Sequence, residues 1–138
     1  MAHRYNSRVK VLLISADPAV RESMALTVRS VQRRVNEPFE VLEANDGVRG
    51  IVLAWRHLPD VVVADEITSR AGAFAVARDL KGADPVFPGI VVILLERTQD
   101  QWLARWSGAD AWFDKPLNPF ELGDAVAGLL EARQKEAV

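Results

Sequence analysis

Five short apolar runs, each followed by a longer amphipathic stretch, constrain this 138-residue chain more than any other feature. The runs at 9–14, 39–44, 60–64, 90–95 and 111–113 have strand length and β-branched, leucine-rich or aromatic character. The third and fourth are apolar on every residue after Asp60, as in a strand covered on both faces. Helices are expected over 18–35, 48–56, 74–80, 99–107 and 119–133. Strict β-α alternation implies an α/β fold: a doubly wound, five-stranded parallel sheet with right-handed crossovers and helices on both faces. Ligands in such sheets sit beyond the carboxyl ends of the strands, where the strand order reverses. Ser15, Ala16, Asp65, Leu95 and Lys115 lie at such ends, so topology alone marks a pocket.

Local signals support these boundaries. Asp17-Pro18 reads as an N-cap followed by proline in the first helical position. Asn36-Glu37-Pro38 stops the first helix, and Asn45-Asp46-Gly47 is a turn. Val48, Ile51, Val52 and Trp55 are expected to form the inner face of the second helix. Asn118-Pro119-Phe120-Glu121 combines an N-cap, an N1 proline and a glutamate at N3. Gly123 and Gly128 inside the last helix each cost about 1 kcal/mol relative to alanine.

Composition excludes several functions. The chain has no cysteine, so disulfides and thiolate metal sites are ruled out. A net charge of -2 offers no electrostatic case for nucleic acid or an anionic membrane. Arg29, Arg33 and Arg34 cluster locally and read as a solvated helix face. No signal-peptide core or membrane-length apolar stretch is present, so a cytoplasmic protein is expected. His3 and His57 are too isolated to suggest a metal site. No glycine-rich phosphate loop follows the first run.

The architecture and three motifs resemble the receiver domain of two-component response regulators, a flavodoxin-like (βα)5 fold. The motifs are Asp60-Val61-Val62-Val63-Ala64-Asp65, Gly108-Ala109-Asp110-Ala111-Trp112 and Lys115-Pro116. The resemblance runs from about Val9 to the end and implies one domain over 1–138, core 9–133, with no output domain. By position it makes Asp65 the phosphoacceptor and Lys115 the phosphate-pairing cation, with a cis bond before Pro116. It places an acidic, Mg²⁺-holding pair at Ser15 and Ala16. The switch hydroxyl falls on Leu94 or Leu95, and the switch aromatic on Trp112. The first helix is about six residues longer than the family usually has, nearly two turns. Ser69 and Ala73 replace a common proline and glycine.

These departures fall mainly on the pocket. An intact family pocket has three carboxylates and one lysine; here Asp65 and Lys115 sum to zero. Phosphoryl transfer depends on positioning and on stabilising negative charge. Without Mg²⁺ only Lys115 would help, so weak or absent phosphorylation is expected. Asp17 fits a helix N-cap first, although as a substitute acid beside Asp65 it would restore a weak Mg²⁺ site. Glu66 and Glu96 read as solvated loop residues.

The resemblance implies that the face made by helix 4, strand 5 and helix 5 mediates dimerisation and output. Trp102 reads as packing, with an interface role second. Trp106 is the stronger interface candidate, and Trp55 is expected in the core. Trp112 opposite a leucine suggests an indole that fills the inward switch position. The expected function is a non-enzymatic, stand-alone pseudo-receiver, binding a histidine kinase, a downstream signalling protein or a second copy. The alternative is a response regulator phosphorylated on Asp65 with Mg²⁺.

Overall fold

Each β-branched run becomes a strand because both of its faces find a helix layer to bury against. The computed structural model describes residues 9–68, 70–115 and 118–136. Its elements are β1 (Val9–Ile14), α1 (Pro18–Val35), β2 (Phe39–Ala44), α2 (Gly47–His57), β3 (Val61–Asp65), α3 (Ala73–Lys81), β4 (Ile90–Leu95), α4 (Gln101–Ser107), β5 (Ala111–Asp114) and α5 (Pro119–Glu136). A single 3₁₀ turn, Thr98–Asp100, precedes α4. The five strands form one parallel sheet in the order β2-β1-β3-β4-β5. The order reverses between β1 and β3, so the carboxyl ends of these strands frame the expected crevice.

Strand alternation divides the interior in two. Val11, Leu13, Val61, Val63, Val92 and Leu94 pack against Met24, Val28, Leu122 and Val126 of α1 and α5. Leu12, Ile14, Val62, Ala64, Ile93 and Leu95 face the α2–α4 layer. β3 and β4 are buried along their whole lengths, as expected from their unbroken apolar runs.

The capping signals hold. Asp17 Oδ1 accepts from Ala19 N at 2.9 Å, and Asn36 ends α1 in the left-handed region. Asp46 Oδ1 caps α2 through Arg49 N at 2.7 Å. Asn118 Oδ1 accepts from the Phe120 and Glu121 amides. Gly108, at φ +87°, caps α4 where an L-residue would be strained. Asp110 beside it accepts from Val91 N at 2.7 Å and pairs with Lys81 at 3.0 Å, pinning the start of β5 to β4.

Two packing expectations are corrected. The inner face of α2 is Gly47, Gly50, Leu53 and Ala54; Val48, Val52 and Trp55 lie outside it, and only Ile51 of the expected set packs inward. The glycines explain the rotation. A Cβ on Gly50 would stand 2.4 Å from Ile14 Cδ1, so the helix presses on β1 through its smallest residues. Trp55 is 37% exposed and stacks edge-on against Phe87 at the rim, rather than lying in the core. Trp102 was expected to pack but is 64% exposed. The short α4 turns Ala104 and Ser107 inward, which leaves Trp102 and Trp106, one turn apart, on its outer side.

Candidate functional site

The last residue of β3 places Asp65 at the floor of the crevice, only 1% exposed. Burial of a carboxylate demands partners, and Asp65 has one for each oxygen. Oδ1 meets the Lys115 ammonium at 2.5 Å and accepts from Ile67 N at 3.3 Å. Oδ2 accepts from the buried Ser15 hydroxyl at 2.8 Å. Ser15 Oγ accepts in turn from Asp17 N at 3.1 Å. The ends of β1, β3 and β5 thus meet in one hydrogen-bonded group. Lys115 is delivered by the backbone: its N–H donates to Leu95 O at 2.9 Å, extending the β4–β5 ladder by one residue.

Lys115 has a second carboxylate that sequence reasoning missed. Glu96 Oε2 lies 3.1 Å from its Nζ, and Glu96 N donates to Glu66 Oε1 at 2.8 Å. Both glutamates were expected to be solvated loop residues. The available signal was adjacency: Glu96 follows the last residue of β4, directly beside the strand end that holds Lys115. Partial burial lowers the pKa of Lys115, but hydrogen bonds and charge from Asp65 and Glu96 outweigh it and raise the value overall. Glu66 is also raised, first by burial, then by a side-chain hydrogen bond to Asp100. With Glu96 included, Asp65, Lys115 and Glu96 carry a net charge of -1 rather than the expected zero.

The remaining expected positions are resolved as follows. Asp17 points at its own helix as an N-cap. Ala16 is exposed and brings no donor atom. Arg21 spans this end of the crevice, donating from Nη1 to Ser15 O at 2.6 Å and pairing through Nε with Glu43 at 3.0 Å. Leu95 shares a sheet face with Trp112, whereas Leu94 lies on the α1–α5 side and pairs in register with Asp65; neither leucine brings a hydroxyl to the crevice. Trp112 is half-buried against that layer, with the Arg105 guanidinium 5.8 Å from its ring centre. Trp106 is 54% exposed beneath the Arg78 guanidinium at 5.0 Å. The bond before Pro116 lies outside the described residues; the cis bond among them is Asp84–Pro85.

Mg²⁺ requires near-octahedral oxygen ligands, usually one or two carboxylates plus waters. Among the described residues no group of three or more Asp, Glu, His or Cys side chains could hold a metal. Asp65 is committed to Ser15 and Lys115, and no carboxylate stands at 15 or 16. This donor set does not fit the ion.

No family model matches the chain. In sequence it is 28% identical over 125 residues to the DNA-binding dual master transcriptional regulator RpaA of Synechocystis, covering 88% of this chain and 48% of that one. The chain thus spans about half the length of this relative; further relatives are likewise response regulators. In structure it resembles a response regulator receiver domain protein from Clostridium thermocellum, with a TM-score of 0.77, 21% identity, and coverage of 94% and 99%. It also resembles the receiver domain of sensor histidine kinase PA1611 from Pseudomonas aeruginosa, which holds a magnesium ion in its active-site cleft (TM-score 0.72, 16% identity, coverage 86% and 94%). The fold is that of solved receiver domains, and the relatives in sequence are response regulators. Among the described residues no helix is long and apolar enough to cross a membrane.

Proposed function

We propose that this chain is a pseudo-receiver, a signalling module that acts by protein contact and takes up little or no phosphate at Asp65. The observation that carries this reading is the saturation of Asp65. Its buried carboxylate already accepts from Ser15 and pairs with Lys115, while Lys115 is shared with Glu96. An incoming phosphoryl group would have to take Lys115 from both carboxylates, with no divalent ion to spread its charge and no hydroxyl at Leu94 or Leu95 to receive it. The α4–β5–α5 face, with Trp112 along its strand and Trp106 exposed on α4, is the proposed contact surface. Its partner would be a histidine kinase, a downstream signalling protein or a second copy.

A second reading keeps one observation on its side: Asp65 and Lys115 stay paired at the reversal of strand order, where a phosphoacceptor belongs. Incubation with acetyl phosphate and Mg²⁺, followed by intact-mass measurement, separates the two. The proposal expects no stoichiometric gain of one phosphoryl mass. A gain that disappears in Asp65→Asn would overturn it.

A further inference from the structure

The sheet ends in an open edge beside a groove, and the chemistry of both is specific enough to name an occupant. β5 has β4 on one side and, among the described residues, no strand on the other. Lys115 N bonds inward to Leu95 O, and backbone groups in a parallel ladder alternate between neighbours. The N–H and C=O groups of Trp112 and Asp114 are therefore turned to the open edge. A groove of about 660 Å³ runs along it between α4 and α5, lined by Gln101, Trp112, Phe113, Asp114, Glu121 and Asp124. Neighbouring strand residues reach this groove from opposite faces of the sheet, so an indole and a phenyl ring form its floor.

The rim is acidic, and among the described residues no cationic side chain lines the groove. Asp114 accepts from the Thr98 hydroxyl at 3.0 Å, which leaves its charge intact. Asp124 is paired with Arg34 from the α1 side, and Arg105 stands over Trp112 at the α4 side. Asp114 and Glu121 remain without a cation partner among the described residues. We propose that this groove seats an extended, lysine- or arginine-rich segment of a partner protein, added alongside β5 as a sixth strand. Backbone groups of the segment would meet those of Trp112 and Asp114; its side chains would alternate between the two faces of the sheet, so that the basic ones meet Glu121 on the α5 side, the apolar ones lie on Trp112 on the α4 side, and the Asp114 charge at the strand end adds to the attraction. This rests on the reading above that the module works by contact through α4–β5–α5, and it adds the chemistry and conformation of what binds there.

The test uses a capped peptide of four Val-Lys repeats, its Val-Glu counterpart, and a Val-Lys peptide N-methylated along one edge. Each is titrated into ¹⁵N-labelled protein at low salt. The Val-Lys peptide is expected to bind at least tenfold more tightly than the Val-Glu peptide, with shifts confined to β5, the start of α4 and the first turns of α5. Glu121→Lys combined with Asp114→Asn should weaken it at least tenfold, and so should N-methylation. Equal binding of both charge types, indifference to either change, or shifts centred on Trp55 would overturn the proposal. Repeating the titration with acetyl phosphate and Mg²⁺ keeps the two readings apart. Binding that appears only there sinks phosphate independence and keeps the groove. Absence of binding under both conditions sinks the groove and leaves the Asp65 reading standing.

Discussion

Lys115 is the residue on which the site balances. It neutralises a carboxylate that is almost wholly buried, and removing one partner of a buried pair leaves an uncompensated charge. Lys115→Ala should therefore destabilise the fold by about 3 kcal/mol, read as a lower urea midpoint. Asp65→Asn should cost less, because Lys115 keeps Glu96. An Asp65→Asn variant that unfolds earlier than Lys115→Ala would contradict this ordering. Glu66 adds a pH dependence. Its folded pKa is raised, so the folded state binds more protons above the ordinary glutamate value, and stability falls as pH rises through that window. The penalty is absent at lower pH and complete above the raised value. Glu66→Gln keeps an oxygen for Glu96 N and offers Asp100 a donor. It should raise the melting temperature at pH 7 and leave it unchanged at pH 3.5; an equal gain at both would exclude titration as the cause. Asp65 and Lys115 were legible in the sequence because strand ends in an alternating chain have fixed places. Glu96 was not, because a side chain after a strand end can turn to solvent or inward, and only the distance to Lys115 decides.

Helix faces were harder to read than strands, and α2 shows why. Its apolar residues recur at helical spacing, yet the face that packs is set by where the backbone can approach the sheet. Gly50 lies against Ile14, and a Cβ on Gly47 would meet Ala71 O at 1.9 Å. Large residues cannot enter so narrow a gap, which leaves Val48, Val52 and Trp55 outside. Gly50→Ala should accordingly lose stability despite alanine's better helix propensity, by about 1–3 kcal/mol from overpacking. Gly128 on α5 is the opposite case. A Cβ there meets nothing within 4 Å, so Gly128→Ala should gain about 1 kcal/mol. Paired thermal melts check both signs, and a stabilised Gly50→Ala would remove the close-approach explanation for α2. β3 and β4 needed no such arbitration: buried on both faces, they announce themselves as unbroken apolar runs.

For the molecule as a whole, the parallel sheet, the reversal of strand order and the Asp65–Lys115 pair make a frame on which a metal site could be built. At the end of β1, Ser15 donates to Asp65 and the Ala16 side chain brings no oxygen. Replacing both, Ser15→Asp with Ala16→Asp, would put carboxylates beside a carboxylate that now accepts a 2.8 Å hydrogen bond. Like charges at that range repel strongly in a buried site, so the double variant should melt well below the parent in EDTA. An ion that binds only the folded state stabilises it by about 2.7 kcal/mol at a hundredfold excess over its dissociation constant. Added Mg²⁺ should therefore recover the melting temperature of the variant in a concentration-dependent way, while leaving the parent chain unmoved. If the parent itself gains stability from millimolar Mg²⁺, the present donor set suffices and the pseudo-receiver reading loses its footing. If the variant melts low and Mg²⁺ does nothing, the frame does not hold the ion even with the two carboxylates in place, and Arg21, held across that end by Ser15 O and Glu43, becomes the group to remove next.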